Sequence, residues 1–314
     1  MTLIDVAVIG GGPAGLSAAS TLARQLHTVT VFDSQVYRNA RSSSMHMVPG
    51  WENKDPKDFR ASAKNDIVAN YSTVEFTNLG VTKIEKKNDA HFMVSDSNGK
   101  EWQFHKIILA VGSSNIFPSI DGYEKLWGER IFHCLFCKGY EDRGADSAGI
   151  LAVPPLVIHP LVVHMAMDAA RLAKRVTIYT HGNEDLEKQL ASIASTRFII
   201  EPRPIQKLVQ SPDSKSVIVE FGDGSSKQET FLAHSPQTSV QGPLVSDLGI
   251  SLTPMGDIVA DAPMHQTSVR GVFAAGDCIT PYKVIPGAIS SGCNAAVAAS
   301  AQLHAEEYGQ PPMF

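Results

Sequence analysis

The stretch "IDVAVIGGGPAGLSAAS" at residues 4–20 decides the fold of this chain. Its start, "IDVAVIG", is mostly apolar and β-branched, which is the composition of a buried strand in a parallel sheet. Three glycines end that strand, and the residues after them have helical composition. "TVTVFD" at 28–33 is the next strand. Strand, glycine-rich turn, helix and strand make a βαβ unit, so the sequence predicts an α/β fold.

The glycines have the spacing of a dinucleotide-binding turn. Gly10, Gly12 and Gly15 form a GxGxxG pattern, and Asp33 ends the following strand. Gly10 permits the tight turn, Gly12 lets a pyrophosphate approach the backbone, and Gly15 allows close packing of helix and sheet. The helix N-terminus stabilises the negative charge, and Asp33 would accept hydrogen bonds from an adenosine ribose. The pattern predicts a dinucleotide cofactor without separating NAD from FAD.

Composition restricts the class of protein. The chain has 314 residues, 43% hydrophobic and 19% charged, which is typical of a folded protein with two domains. The net charge of −5 and the lack of a long basic run argue against nucleic acid as a partner. No apolar run is long enough to span a membrane, and the N-terminus lacks the basic region of a signal peptide. We therefore expect a cytoplasmic protein without a membrane partner.

A second strand–helix–strand pattern lies in the middle of the chain, in "AGILAV" (148–153), "HPLVVHMAMDAARLAK" (159–174) and "RVTIYT" (175–180). Before it, residues 39–60 are polar and irregular in pattern. Residues 74–112 alternate in short pieces around an Asn-Gly turn, which predicts antiparallel strands.

A close cysteine pair, Cys134 and Cys137, lies in "HCLFCKGYED" (133–142). Such a pair can bind a metal, form an inert crosslink or exchange electrons. A zinc site usually needs a second close pair of ligands, and the other cysteines, Cys278 and Cys293, stand apart from each other. In a reducing compartment a redox role is favoured over a structural disulfide, so we predict a redox pair and no metal.

Three later segments carry a resemblance to a known family. "IILAVGS" (107–113), "GVFAAGDCI" (271–279) and "GAISSGCNAAVAA" (287–299) are similar to the FAD signatures of flavin-containing disulfide reductases. With the cysteine pair in mid-chain, the sequence resembles a low-molecular-weight thioredoxin reductase over nearly its full length. The resemblance implies FAD as cofactor. The expected cofactor-binding residues are Gly10, Gly12, Pro13, Ala14, Gly15, Asp33, Gly112, Gly276, Asp277 and Ala288.

The resemblance also implies the domain organisation: two Rossmann-like domains of the thioredoxin reductase type, with a discontinuous FAD domain. We expect the FAD domain at 1–116 and 243–314, and an inserted, degenerate NADPH-binding-like domain at 117–242 that carries the cysteine pair. By the same resemblance Cys137 would face the flavin, Cys134 would exchange with the external partner, and the protein would be a homodimer.

The second domain departs from thioredoxin reductases where NADPH would bind. Between Leu151 and Arg175 there is no glycine, and three prolines in that stretch remove amide donors. "HGNEDLEKQ" (181–189) is acidic where arginines would hold the 2′-phosphate. We predict that NADPH is not the electron donor; weak NADPH binding is the alternative.

Loss of NADPH beside retained FAD and CxxC motifs resembles the dithiol oxidases of the gliotoxin and holomycin type. "CLFCKGYED" (134–142) and "YRNARSSSMHMVPGW" (37–51) look like the active-site and flavin-side loops of that group. The resemblance implies oxidation of a small-molecule dithiol to a disulfide, with O2 as acceptor and hydrogen peroxide as product. His46 and His133 are the candidate bases, or flavin contacts.

Two rival functions remain at this level. One is a thioredoxin reductase-like enzyme that receives electrons from ferredoxin or another electron-transfer protein, and the net acidity disfavours it weakly. The other is a flavin-bound scaffold without activity, against which the intact cysteine pair argues.

Overall fold

The structure is a computed structural model that describes residues 2–240, 242–311 and 313. The chain divides into two compact units, the first formed by Met1–Ser114 with Thr238–Phe314 and the second by Asn115–Gln237. The chain therefore leaves the first unit once and returns to it once. Each unit is described separately.

The strands, in chain order, are β1 (Leu3–Ile9), β2 (Val29–Phe32), β3 (Val74–Thr77), β4 (Val81–Asn88), β5 (His91–Asp96), β6 (Glu101–Leu109), β7 (Ser113–Ile116), β8 (Ile131–Phe132), β9 (Ala145–Leu151), β10 (Ala173–Tyr179), β11 (Phe198–Glu201), β12 (Ile205–Gln210), β13 (Val217–Phe221), β14 (Ser226–Glu229), β15 (Phe231–Ala233), β16 (Gln237–Val240), β17 (Ala260–Asp261), β18 (Gln266–Thr267) and β19 (Val272–Ala274).

The α-helices are α1 (Pro13–Ala23), α2 (Pro56–Asn70), α3 (Tyr123–Leu126), α4 (His159–Leu172), α5 (Glu184–Leu190), α6 (Leu244–Asp247) and α7 (Ile285–Glu307). Short 3-10 helices lie at Tyr140–Asp142, Ala191–Ile193 and Gly276–Ile279.

The first unit is built on one sheet with the strand order β17-β18-β19-β6-β1-β2-β3. The central strands β19, β6, β1, β2 and β3 pair in parallel, and β4 and β5 add an antiparallel hairpin through β6. The apolar residues of β1 from Val6 to Ile9 are buried, as expected for a strand covered on both faces.

The second unit has a parallel sheet of order β11-β10-β9-β15-β8 and an antiparallel sheet of order β12-β13-β14. Helix α4 connects β9 to β10, and its buried alanines and Val162 pack in one hydrophobic cluster with Val176 and Ile178 of β10. The prediction of an α/β fold with two Rossmann-like units is confirmed. The strand–helix–strand pattern read from residues 148–180 is present in this unit.

Two local predictions were wrong. Helix α2 begins inside the segment read as irregular, because Asp55 accepts a hydrogen bond from the Lys57 amide as an N-cap and Pro56 opens the helix. Strand β3, read as antiparallel, pairs in parallel with β2. From β4 onward the antiparallel prediction holds, because β4 pairs with β5 and β5 pairs with β6 across the Asn-Gly turn.

An ion pair ties the last turn of α7 to the central sheet. The Lys106 side chain on β6 is fully buried, and its Nζ lies 2.7 and 2.6 Å from the two carboxylate oxygens of Glu306. Burial lowers the pKa of Lys106, and Glu306 opposes that shift. The Glu306 side chain is 28% exposed and also lies 3.4 Å from Arg270. Glu306 therefore has solvent exposure and a second cation, whereas buried Lys106 has Glu306 as its carboxylate partner and the Asp89 carbonyl 3.4 Å away.

This asymmetry predicts unequal costs for removing the two partners. We expect Glu306→Leu to lower the free energy of unfolding by about 3 kcal/mol, because it leaves an ammonium buried without its counter-ion. Lys106→Met should cost less than about 1.5 kcal/mol, because the aliphatic chain fills the same space. Urea unfolding followed by circular dichroism measures both, with Glu307→Leu on the exposed side of the same turn as control. Equal losses for the two variants would contradict this account.

Candidate active site

The glycine-rich turn after β1 is held by backbone contacts that leave no room for a side chain. Gly10 has φ +119°, and a Cβ there would overlap the carbonyl of Ala110 after β6. A Cβ at Gly15 would overlap the carbonyl of Gly10. The turn, the first helix and the end of β6 are therefore packed backbone against backbone.

Gly12 differs from its neighbours. It is the N-cap of α1 with φ −77°, a value open to any residue, and no atom lies within 4 Å of the place a Cβ would occupy. Gly112, with φ +66°, likewise has open space at that place. Pro13 is the first residue of α1 and lacks an amide proton, which costs nothing at a helix start. The open space beside the N-terminus of α1 is where a phosphate would gain most from the helix dipole.

The motif that contains Gly276 packs against the start of α1, after the glycine-rich turn. Gly276 has φ +83°, and a Cβ there would lie 2.9 Å from the Cβ of Ala14 and 3.8 Å from that of Ala288. Its amide donates to Ser291 Oγ at 3.0 Å. Residues predicted from three separate motifs are thus adjacent within the first unit.

Asp33 is buried at the end of β2 and is already hydrogen-bonded. Oδ1 accepts from the Gln35 amide at 2.9 Å, and Oδ2 accepts from the Tyr37 hydroxyl at 2.5 Å. The Arg60 guanidinium lies 3.9 Å from the centre of the Tyr37 ring. An ionised carboxylate has about four acceptor positions, so Asp33 retains capacity for a ribose hydroxyl. The sequence did not single out Tyr37 or Arg60.

Asp277 is surrounded by charged groups that the sequence reading missed. Its Oδ2 lies 3.6 Å from Arg38 Nη1, and its backbone carbonyl accepts from Lys283 Nζ at 2.7 Å. Lys283 also pairs with buried Asp257 at 3.0 Å. Burial raises the pKa of Asp277, and the two cations oppose that rise. Arg38 lies in the loop at 37–51, from which the sequence analysis selected His46 instead. Lys283 is a single lysine before α7, and no sequence pattern marks it.

The cysteine pair forms a disulfide between Cys134 and Cys137 in the second unit, directly after β8. The Cys137 amide donates to Cys134 Sγ at 3.1 Å, and the Lys138 amide donates to the Cys134 carbonyl at 3.0 Å. These bonds make a tight turn in which an amide proton is directed at the Cys134 sulfur. A thiolate at Cys134 would be stabilised by that donor.

The segment containing the disulfide is closed by an ion pair. Arg130 precedes β8 and lies 2.9 Å from Asp142, which follows the disulfide. Inside the turn, Leu135 is buried and Phe136 is 70% exposed. The disulfide is therefore fixed at both ends of its segment while an apolar side chain beside it faces solvent.

The two candidate bases lie in different units. His133 directly precedes Cys134 in the second unit. His46 is in the first unit, where its Nδ1 lies 2.6 Å from Glu52 Oε1 and its Nε2 lies 3.2 Å from Ser44 Oγ. Because a carboxylate only accepts, Nδ1 donates to Glu52, and Nε2 lies on the opposite side of the ring against the serine hydroxyl.

The loop after β9 has a different construction from the glycine loop after β1. It contains Pro154 and Pro155, and α4 does not begin until His159. The Val153 carbonyl in this loop lies 3.2 Å from Nε2 of His234, a fully buried residue after β15. The backbone of this loop is therefore hydrogen-bonded to the His234 side chain at the carboxyl edge of the sheet.

His234 has one possible tautomer in this site. The Val153 carbonyl accepts, so Nε2 carries the proton, and Nδ1 accepts from the Tyr123 hydroxyl at 2.7 Å. Burial lowers the pKa of His234 to about 4, and it raises the pKa of Tyr123. Both groups are thus neutral and fully hydrogen-bonded at neutral pH.

Helix α5, after β10, carries Glu184, Asp185 and Glu187 in its first turn. This is the acidic stretch noted in the sequence, and it lies where the strand–helix–strand pattern would direct a nucleotide phosphate. Like charges at that position oppose binding of a phosphate.

Within the described ranges 2–240, 242–311 and 313, no group of three or more His, Cys, Asp or Glu side chains is arranged to hold a metal ion. In the same residues, no helix has both the length and the apolarity needed to cross a membrane.

Comparison with known proteins shows the family to which this chain belongs. The family model described as pyridine nucleotide-disulphide oxidoreductase matches residues 4–302. The chain belongs to that family. Among curated relatives, thioredoxin reductase tcpT of Claviceps purpurea is 42% identical, covering 99% of this chain and 98% of the relative. Thioredoxin reductase sirT of Leptosphaeria maculans is 37% identical, covering 94% and 92%.

Solved structures agree with the sequence comparison. An oxidoreductase from Agrobacterium tumefaciens has a TM-score of 0.85 at 28% identity, covering 98% of this chain and 100% of that one. The structure of HlmI has a TM-score of 0.86 at 26% identity, covering 98% and 94%. The prediction of a thioredoxin reductase-like flavoprotein is confirmed, and the chain is a flavin-dependent oxidoreductase.

The residues of the first unit fit the flavin cofactor that the family implies. The open space beside Gly12 and Gly112 admits a ligand close to the backbone. The N-terminus of α1 and the Arg38 guanidinium would supply positive charge for a phosphate, while Asp277 and Asp33 would supply acceptors for hydroxyl groups.

The contrast between Gly12 and Gly10 predicts two different phenotypes. Gly12→Val should leave the fold intact, with a cost of about 1 kcal/mol for a poorer N-cap, yet abolish flavin retention because the side chain fills the open space. Gly10→Val should instead prevent stable folding, because it overlaps the Ala110 carbonyl at an unfavourable φ. Visible flavin absorbance per protein and thermal unfolding of each purified variant measure the two effects. A Gly12→Val protein with a full complement of flavin would contradict the assignment.

His234 predicts a pH dependence of stability. The ordinary pKa of an unfolded histidine is about 6.5, and the folded value is lowered to about 4. Between these values the unfolded chain binds the extra proton, so the free energy of unfolding falls as the pH decreases. The expected loss from this group is about 3 kcal/mol.

The His234→Gln variant keeps a donor for Val153 and removes the titration. Urea unfolding at several pH values between neutrality and pH 4 should give a shallower slope for the variant than for the wild type. Parallel slopes would show that His234 does not cause the dependence.

Proposed function

We propose that this chain is an FAD-dependent dithiol oxidase. Its substrate is a small-molecule dithiol, which loses two electrons and two protons to form an intramolecular disulfide, while O2 gains both to become hydrogen peroxide. The flavin, when bound, supplies the two-electron connection between the cysteine pair and O2. We assign FAD binding to residues 1–116 and 243–314, and the cysteine pair to the inserted domain at 117–242.

The proposal rests on one combination of features. The chain belongs to a flavin-dependent family and has a close disulfide, but the loop after β9, where a second nucleotide would bind, has lost its glycines. Cys134 and Cys137 can accept electrons from thiols. The loop after β9 has prolines in place of glycines, and its Val153 carbonyl is bonded to His234. With that loop unsuited to NADPH, thiols are the favoured source of electrons for the cysteine pair.

The cysteine chemistry is thiol–disulfide exchange. A substrate thiolate attacks Cys134 Sγ, the bond between the cysteines breaks, and Cys137 leaves as a thiolate. The second thiol of the same substrate then attacks its own sulfur in the mixed disulfide, which closes the product and releases the Cys134 thiol. That second step is intramolecular and proceeds at high effective concentration, which favours a small dithiol over two separate thiols.

The bases we propose are His133 and His46. His133 is adjacent to Cys134 in sequence, so it is the candidate for deprotonating an incoming thiol. His46 is a candidate base because its Nδ1 donates a hydrogen bond to Glu52, which leaves Nε2 as the nitrogen that would accept a proton. We also propose that the cofactor-binding residues named in the sequence analysis bind FAD. The proposed assembly is a homodimer.

A second candidate function is thioredoxin reductase with a weak NADPH site, or one that receives electrons from ferredoxin. The names of the relatives favour it, since both tcpT and sirT are called thioredoxin reductases. The acidic first turn of α5 and the proline loop argue against NADPH as the donor.

The experiment that separates the candidates is oxygen uptake by flavin-loaded protein with dithiothreitol or a cyclisable aromatic dithiol, compared with NADPH plus thioredoxin. We expect oxygen uptake and stoichiometric peroxide with the dithiols, and no flavin bleaching by NADPH in the absence of air. Rapid anaerobic bleaching by NADPH would favour the reductase. Reoxidation that requires added ferredoxin would favour the ferredoxin-linked enzyme.

Cysteine variants test the route of the electrons. Cys134→Ser and Cys137→Ser should each reduce dithiol-dependent oxygen uptake by at least about a hundredfold while flavin stays bound, because exchange needs both sulfurs. Cys293→Ser, a single unpaired cysteine on α7 in the first unit, is the matched control and should retain activity. Wild-type turnover in either paired variant would exclude the disulfide as the route.

A further inference from the structure

A stack of aromatic rings lies immediately before the disulfide in the second unit. The Trp127 ring is stacked on the His133 ring, with centroids 5.9 Å apart and planes inclined by 28°. Trp127 is also stacked on Tyr123, at 6.0 Å and 22°. Phe117 contacts both of these rings, at 5.3 and 5.4 Å. His133 is therefore the end member of a continuous aromatic cluster.

A tight turn brings the two stacked residues together. Trp127 follows α3 and forms a parallel bridge with Ile131, while the Gly128 amide donates to the Ile131 carbonyl at 3.0 Å. The chain thus makes a tight loop between Trp127 and β8, and His133 follows β8 with its ring against the indole. Trp127 is buried, so this geometry is set by the core and not by solvent.

The far end of the stack is anchored to the loop that has lost its glycines. The Tyr123 hydroxyl donates to His234, which donates to the Val153 carbonyl. A series of direct contacts therefore runs from the Val153 loop through His234, Tyr123 and Trp127 to His133. Every member of the series lies in the second unit.

We propose that Trp127 is a positioning residue that holds the imidazole of His133 beside Cys134. The inference rests on the proposed function, because it takes His133 as the base for the thiol that exchanges at Cys134. A proton acceptor works only from a defined orientation, and a ring stacked on its face restricts the rotation of an imidazole.

A purely structural role for Trp127 is the competing explanation, and a double-mutant cycle separates the two. In reduced, flavin-loaded protein, a short pulse of iodoacetamide followed by peptide mass spectrometry gives the alkylation rate of Cys134, with Cys293 of the first unit as internal reference. We expect Trp127→Leu and His133→Ala each to slow alkylation of Cys134 by about two- to tenfold, the range that one ring contact is worth.

The double variant carries the decision. If Trp127 acts through His133, Trp127→Leu causes no further slowing once His133 is alanine. The inference is overturned if the two effects multiply, if Trp127→Leu has no effect, or if His133→Ala has none. Leucine keeps an apolar side chain in the core, and Trp127→Phe, which keeps a ring, should restore most of the wild-type rate.

Tyr123→Phe is the matched control for loss of stability. It keeps the ring in the stack and removes only the hydroxyl bonded to His234, so it should lower the melting temperature with an unchanged alkylation rate. If it slows alkylation as much as Trp127→Leu does, general destabilisation explains both, and the inference fails.

The readout is independent of the oxidase reaction. Alkylation needs neither O2 nor a dithiol. If the double-mutant cycle shows coupling but the protein takes up no oxygen with dithiols, the oxidase proposal is rejected and the positioning role of Trp127 stands. Oxygen uptake with dithiols combined with an additive cycle would keep the oxidase and reject the role of Trp127.

Discussion

The contact on which the first unit depends is backbone against backbone with no side chain between. A Cβ at Gly292 on α7 would overlap the carbonyl of Ala14 on α1, and a Cβ at Gly15 would overlap that of Gly10. These approaches bring the first and last major helices together at the end of β1. Their closeness makes Gly276 and Ala288 neighbours of Ala14, although these residues are separated by most of the chain. The proposed cofactor site thus depends on glycines, which have no side chain to keep these backbones apart.

Buried charge at this site is balanced locally. Asp277 would be costly to ionise in its buried position, and Arg38 and Lys283 offset part of that cost. Lys283 is itself buried, with Asp257 as its counter-ion and two backbone carbonyls as further acceptors. A buried lysine satisfied in this way fixes the 3-10 helix Gly276–Ile279 in place. The orientation of Asp277 therefore depends on a cation outside any recognised motif.

The sequence predicted what depends on local pattern, and it missed what depends on contacts between distant residues. Gly10, Gly12 and Gly15 could be assigned because strand, turn and helix are contiguous, and the family followed from motifs of fixed spacing. The Tyr123–His234 bond joins residues 111 positions apart, and no periodicity signals such a pair. Helix α2 was missed for a different reason: its polar surface hides a helix whose start is marked only by Asp55 and Pro56.

The two Rossmann-like units show opposite uses of the same edge of a parallel sheet. After β1, glycines keep the carboxyl edge open, and the space beside Gly12 has no protein atom within 4 Å of a would-be Cβ. After β9, prolines replace glycines, and the edge is closed by His234, which bonds the loop carbonyl and the Tyr123 hydroxyl. Ligands bind such edges because backbone amides and helix termini are available there. Where a buried histidine already satisfies the loop, a nucleotide would have to displace a fully bonded group and would find acidic residues on α5. The same fold can therefore leave this edge open to a cofactor in one unit and close it with the protein's own side chains in the other.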